Sequence, residues 1–260
     1  MSADEPMVLH AYGVIDVSAT IPTACPGVHG AEVELLPCGR FRVLCSRHHE
    51  SDLGEQVWEA NGQNPQWLAD VAREHHMVLH HVVTHTDVLP LRFPSIYPND
   101  DALCQAIDRS SDALATAFDV VRDHVEWGLK IFQAQAPANP PTQPRPASGH
   151  DYLRQRAQEA SRREQAGIGR QQVLLDIHEA LSMAASHSAV NPVQDRALSG
   201  HEAPMLLNAA YLVPRGRRDD FFSVLDELVT RFSSDGYVLE LTGPWPPYNF
   251  THLVMRTEHA

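Results

Sequence analysis

No apolar run in the 260 residues approaches the roughly 20 positions that a membrane-spanning helix needs. The opening residues, Met1 to Pro6, carry Asp4 and Glu5 where a signal peptide would carry a basic and then an apolar segment, so a cytosolic protein is expected. Cysteine is scarce. Cys25, Cys38, Cys45 and Cys104 show no CxxC spacing, which argues against a zinc knuckle or redox pair, and they read as reduced, mostly buried thiols. The motifs of common catalysis are missing too: there is no Gly-x-Ser-x-Gly elbow, Walker loop or dinucleotide glycine fingerprint. His85 with Asp87 forms at most half of a triad, with no nucleophile marked. Basic excess is also absent. A formal net charge of -13 repels phosphate and argues against nucleic-acid binding, although 16 histidines soften that field near or below neutral pH.

What is present reads as α+β. Val8 to Ile15 is rich in β-branched and aromatic residues and predicts a strand. Glu32–Leu35 and Arg40–Cys45 alternate on either side of a turn at Cys38-Gly39, the pattern of a hairpin with one buried face. Asn64-Pro65 opens a helix, with Asn as cap and Pro at the first helical position, and Trp67, Leu68, Val71, Val78, Leu79 and Val82 form its apolar stripe. Asp87 to Phe93 reads as a strand with Pro90 at an edge or entry position. Asn99 caps a second helix carrying Leu103, Ile107, Leu114, Phe118 and Val121. Val125, Trp127, Leu129 and Ile131 then alternate with polar or small residues as a half-buried strand. Residues 1–133 therefore read as one α+β domain.

Residues 134–149 hold five prolines and no large apolar side chain, the composition of an extended linker, and place the domain boundary there. Residues 150–260 form the second domain. Asp151 to about Ser186 is helical in pattern, and its first part sets Arg154, Arg156, Arg162, Arg163 and Arg170 against Asp151, Glu159 and Glu164. Glu159 is expected to meet Arg162 or Arg163, worth a few tenths of a kcal/mol each. Gly167 and Gly169 are expected to break this helix from the apolar segment of Val173, Leu174, Ile177, Leu181 and Ala184. Leu206–Val213 predicts a strand, 219–233 a helix with a strong apolar face, and Tyr237, Leu239 and Leu241 a final strand after Gly236. A helix between two strands on an antiparallel sheet suggests a ferredoxin-like plan.

The closing Gly243-Pro244-Trp245-Pro246-Pro247-Tyr248-Asn249-Phe250 resembles the signature of the gas vesicle protein F/L family. The resemblance extends to the Asn208–Val213 strand, to Leu89-Pro90-Leu91-Arg92-Phe93 and to Val125-Glu126-Trp127-Gly128-Leu129-Lys130, in order and spacing over nearly the whole chain; it departs at Pro94-Ser95. It implies a non-enzymatic accessory protein of gas-vesicle assembly, without cofactor or metal, located with the vesicle in the cytoplasm. It implies that the partners are the small hydrophobic shell protein, kept from aggregating, and other accessory proteins. It also implies two α+β domains, the C-terminal one a modified ferredoxin-like fold with added helices.

Two other signals compete. His75, His76, His80, His81 and His85 offer four-residue spacings that a metal-dependent enzyme would use, but His76-Met77-Val78-Leu79-His80 lacks the Glu of HExxH, and the run reads as solvated or helix-end histidines. Cys38, Cys45, His48 and His49 fit no common zinc spacing. A general holdase without a dedicated client is the remaining alternative. For partner contact, the candidate residues are Arg154, Arg156, Arg162 and Arg163 on the charged helix and Trp245, Tyr248 and Phe250 in the closing segment. Trp245 is expected to lie on the sheet of the 206–213 and 237–242 strands, held extended by its flanking prolines.

Overall fold

The computed structural model describes residues 6–21, 25–133, 149–196 and 200–251. The chain divides into two compact units, Met1–Glu126 with Gly243–Ala260, and Trp127–Thr242.

The first unit is built on β1 (Met7–Asp16), whose residues from Val8 to Ile15 are all buried, as suits a central strand without polar alternation. Next come β2 (Val33–Cys38), β3 (Phe41–His49), α1 (Glu50–Leu53), α2 (Glu55–Asn61) and α3 (Pro65–Val83). After them follow β4 (Leu89–Pro90), β5 (Ile96–Tyr97), α4 (Asp100–Arg109) and α5 (Ser111–Val121). The sheet order is β2-β3-β1-β4, with β5 also on β1. β1 and β3 pair antiparallel from Met7 opposite His49 to Asp16 opposite Phe41, with Tyr12 the extra residue of a bulge between Ala11 and Gly13. Glycine is required at position 13, because a Cβ there would stand 2.8 Å from Leu79 and 2.9 Å from the Leu89 carbonyl.

Asn64 caps α3 by accepting from the Gln66 and Trp67 N–H groups, with Pro65 in the first turn. Val71, Val78, Leu79 and Val82 then face the core with Tyr12, Ile15 and Leu44. The strand expected at 87–93 is only two residues long, since Pro90 has no N–H to extend the ladder. The helix expected after Asn99 is two helices, α4 and α5, meeting at Ser110. α1, α2 and β5 had no distinct pattern in the sequence.

The second unit runs β6 (His124–Gln133), α6 (Gly149–Ala184), β7 (His187–Val190), β8 (Met205–Pro214), α7 (Arg218–Phe232) and β9 (Tyr237–Trp245). A β-α-β-β-α-β order with the sheet order β7-β8-β6-β9 is the ferredoxin-like plan. Its core gathers Trp127, Leu129 and Ile131 of β6, Ile177 and Leu181 of α6, Tyr211 of β8, and Phe221, Leu225, Leu228 and Phe232 of α7. Each fully buried large side chain of this kind contributes about 1.5–3 kcal/mol relative to exposure. Gly236, at φ 81, closes the turn after α7 in the left-handed region.

Several sequence expectations change here. The 125–131 strand, assigned to the N-terminal domain, is the first strand of the second sheet, because its alternating apolar side chains meet α6 and α7. The chain passes between units inside β6, after Glu126, and inside β9, after Thr242, so the closing signature belongs to the first unit and not to the C-terminal domain drawn at 150–260. The proline-rich segment 134–149 lies outside the described residues except for Gly149, which begins α6. α6 continues without a break through Gly167 and Gly169. β7, an edge strand with mostly exposed residues, carries no pattern that marks it.

The thiols are also paired differently. Cys38 and Cys104 form a disulfide between the β2–β3 turn and α4, with Cα atoms 4.9 Å apart and 66 residues between them in sequence. Only Cys25 and Cys45 are free. Burial pushes the Cys45 thiol up to about 12.

Candidate functional site

The closing signature folds onto the first unit. Tyr248 joins the apolar cluster around Tyr12, Val71 and Val125, and its hydroxyl lies 3.0 Å from His76 Nδ1 on α3. Burial, with Glu126 nearby, raises the Tyr248 pKa, and burial followed by His80 lowers that of His76. The bond therefore joins a neutral phenol and a neutral imidazole. Trp245 is half-buried against α3, its ring 5.1 Å from His76 and 5.9 Å from His80. That seat is on a helix of the first unit, not on the expected sheet of the 206–213 and 237–242 strands, because the chain has already left β9's second-unit portion at Gly243. Asn249 donates from its backbone N–H and its side-chain amide to Glu126, which is buried. Phe250 is half-buried.

The histidines do not form a solvated run. His75 faces inward from α3, 3% exposed, and shares a 2.8 Å hydrogen bond through Nδ1 with Nε2 of the fully buried His10. A second chain of bonds begins beside it. The Val28 N–H donates to the Tyr12 oxygen, the Tyr12 and Ser46 hydroxyls share a 2.6 Å hydrogen bond, and the Ser46 hydroxyl shares another of 2.8 Å with His48 Nε2. Burial lowers His75 and His48 to about 4, and it lowers His10 well below the usual imidazole range, reinforced by His75 and His48. All three are neutral, which fits their roles as hydrogen-bonding core residues. His76 and His80 sit under Trp245, and the rings of His81 and His85 are tilted to each other with centroids 5.2 Å apart. The helix spreads the five residues over different faces. Among the described residues, no three His, Cys, Asp or Glu side chains converge to hold a metal ion.

Two open surfaces stand out among the described residues. One is a groove of about 700 Å³ in the first unit. Trp58 of α2, Phe93, Ile96 and Tyr97 supply apolar walls, while Glu50, Glu55 and Arg92 supply the charges. Trp58 is fixed by edge-on contacts with Trp67 at 4.8 Å and Phe93 at 5.7 Å. Arg92 and Phe93 belong to the Leu-Pro-Leu-Arg-Phe segment. The sequence marked that segment, but not the groove it helps to form, since Trp58 and Ile96 reach it from elements without a recognisable pattern.

The other surface is the first half of α6. From Tyr152 to Gly169 its residues are exposed apart from half-buried Gln155 and Glu159, so Arg154, Arg156, Arg162 and Arg163 share one projecting stretch of helix. The expected pairing of Glu159 with Arg162 or Arg163 does not form, although Arg156 lies 5.8 Å over the Tyr152 ring.

Residues 8–252 match the family model of the gas vesicle synthesis protein GvpL/GvpF. The chain belongs to the GvpL/GvpF family. It is 32% identical to gas vesicle protein L of Streptomyces sp. (strain CB03234) over 244 residues, covering 92% of this chain and 90% of that protein. It is 25% identical to gas vesicle protein F of Haloferax mediterranei, covering 94% and 93% of the two. The crystal structure of GvpF from Anabaena sp. PCC7120 superposes with a TM-score of 0.68 at 17% identity, over 98% of this chain and 100% of that one. GvpF from Microcystis aeruginosa gives 0.65 at 19% identity, over 95% and 99%. The fold is thus the α+β fold of GvpF. Membership gives the protein an accessory role in gas vesicle formation, within a family not known for enzymatic activity. No helix among the described residues is long and apolar enough to cross a membrane.

Proposed function

We propose that the protein binds the small hydrophobic shell protein of the gas vesicle and keeps it from aggregating until it is assembled, acting without catalysis or cofactor. The supporting observation is the groove of Trp58, Phe93, Ile96 and Tyr97, rimmed by Glu50, Glu55 and Arg92. A concave apolar surface shields an apolar segment from water, and the charges at its rim orient that segment without burying an unpaired ion. Other accessory proteins are its further partners. The docked positions of Trp245 and Tyr248 favour a structural role for the signature over a partner contact.

Co-expression with the shell protein, followed by pull-down and turbidity, tests this reading. The wild-type chain is expected to retain the shell protein in solution, and Arg92→Glu, an exposed change at the rim of the groove, to weaken that retention at an unchanged melting temperature. Failure of the shell protein to co-purify or stay soluble overturns the proposal. Equal protection of an unrelated unfolded chain replaces it with a general holdase.

A further inference from the structure

The first half of α6 differs in charge from the rest of the molecule. Over 151–170, five arginines against three carboxylates give a local +2, which leaves -15 for the remainder of a chain whose total is -13. Arg156, Arg163 and Arg170 stand seven apart and so form a column along one side of the helix, about 21 Å long at 1.5 Å per residue. Leu153, Ala160 and Gly167, also seven apart, run beside it. Leu153 is 67% exposed, and no atom lies within 4 Å of a Cβ placed on Gly167, so the protein's own packing does not demand glycine there. Among the described residues, Arg163 and Arg170 have no carboxylate partner, and neither does Arg156.

The complementary surface is on α7. Asp219 and Asp226 form one column seven residues apart, and Asp220 and Glu227 form a second beside it, all four exposed. Asp220 lies 3.6 Å from Arg217, while Asp219, Asp226 and Glu227 have no cationic partner among the described residues. Of the flanking cations, Arg218 lies over the Phe222 ring, and Arg231 lies over the Phe232 ring at the edge of the shallow surface of Asp226 and Glu227. Exposed Val229 adds an apolar contact at its end. Each acidic column spans seven residues, about 10.5 Å, which is the spacing of two successive arginines in the column on α6.

We propose that the exposed first half of α6 is a docking arm for a second copy of this chain, with Arg156 and Arg163 lying along the Asp219/Asp226 and Asp220/Glu227 face of that copy's α7. The arm and its receptor are different surfaces, so the contact is head-to-tail and propagates from copy to copy instead of closing on a twofold axis. Small residues beside the arginines let the two helices approach closely. Exposed ion pairs are weak and screened, so association is modest and depends on salt. It is independent of what the groove takes.

Sedimentation velocity of the full chain tests this. In about 50 mM salt the weight-average sedimentation coefficient should rise with protein concentration, and in about 0.5 M salt it should return to the monomer value. Arg156→Glu/Arg163→Glu should remain monomeric, as should Asp219→Lys/Asp226→Lys, each with an unchanged circular dichroism spectrum. Mixing the two variants should restore association, because the reversed arm then meets a reversed face. A wild-type chain that stays monomeric at low salt overturns the proposal, as does unchanged association of the arginine variant. Loss in the arginine variant alone, or no recovery on mixing, overturns α7 as the receptor.

Discussion

Asn249 closes a contact across 123 residues: its backbone N–H lies 2.8 Å from Glu126 Oε2 and its side-chain amide 2.6 Å from Oε1. One residue thus satisfies both oxygens of a carboxylate that is 3% exposed. The signature segment, which begins in the last residues of β9, is held to the start of β6 by this clasp, and Tyr248 and Trp245 lay the rest of it on α3.

Asn249→Ala removes a donor from a buried carboxylate and should cost roughly 1–3 kcal/mol, with Glu126 left partly unsatisfied. Urea unfolding of the variant against wild type measures it. An unchanged midpoint would show that the clasp contributes nothing to stability.

The pH dependence has opposing parts. Burial raises Glu126 to about 7, with the Asn249 donors pulling the other way, so between pH 4.5 and 7 the folded protein keeps a proton that the unfolded chain has released. Stability from this group falls as pH rises through that window and is level above it. Burial lowers His75 and His48 from 6.5 to about 4, so between those values the unfolded chain takes up protons that the folded protein refuses. Their contribution is complete above pH 6.5 and is lost as pH falls. Each proton sets a limiting slope of about 1.4 kcal/mol per pH unit. Stability should rise from about pH 4.5 to 6.5 and be nearly level above pH 7, where the opposing contributions balance. Urea midpoints across pH 4 to 8 check the curve, and Glu126→Gln should steepen its acid limb by removing the opposing proton.

Trp245→Ala removes a half-buried ring from His76 and His80 and should cost about 2–3 kcal/mol, less than a fully buried Trp. Hydrogen exchange locates the effect. Amides of α3 should exchange faster while those of β8 are unchanged; the reverse pattern would return the indole to the C-terminal sheet.

The disulfide predicts a labelling pattern. Alkylation of the denatured, unreduced protein should modify two of its four cysteines, Cys25 and Cys45, and all four after reduction. In the chain-entropy picture, a loop of 66 residues contributes roughly 4 kcal/mol, so reduction should lower the melting temperature measurably. Four labels without reductant would show the bridge to be absent.

By itself, the sequence determined the features whose causes are local. The Asn64-Pro65 cap and the apolar spacing behind it are sufficient for α3, alternation from Val125 to Ile131 for β6, and the Phe221-to-Phe232 stripe for α7, because each rests on neighbours within a turn or two. The motifs that resemble the GvpL/GvpF family were equally legible. Tertiary structure alone decided which sheet β6 joins, that His75 turns inward to His10, that Cys38 meets Cys104, and that Trp245 rests on α3. It also assembled the groove from Trp58, Phe93 and Ile96. These pairings join residues tens to more than a hundred positions apart, and no periodicity along the chain encodes which two distant surfaces bury each other. That choice is made by shape, burial and the satisfaction of polar groups once the elements pack.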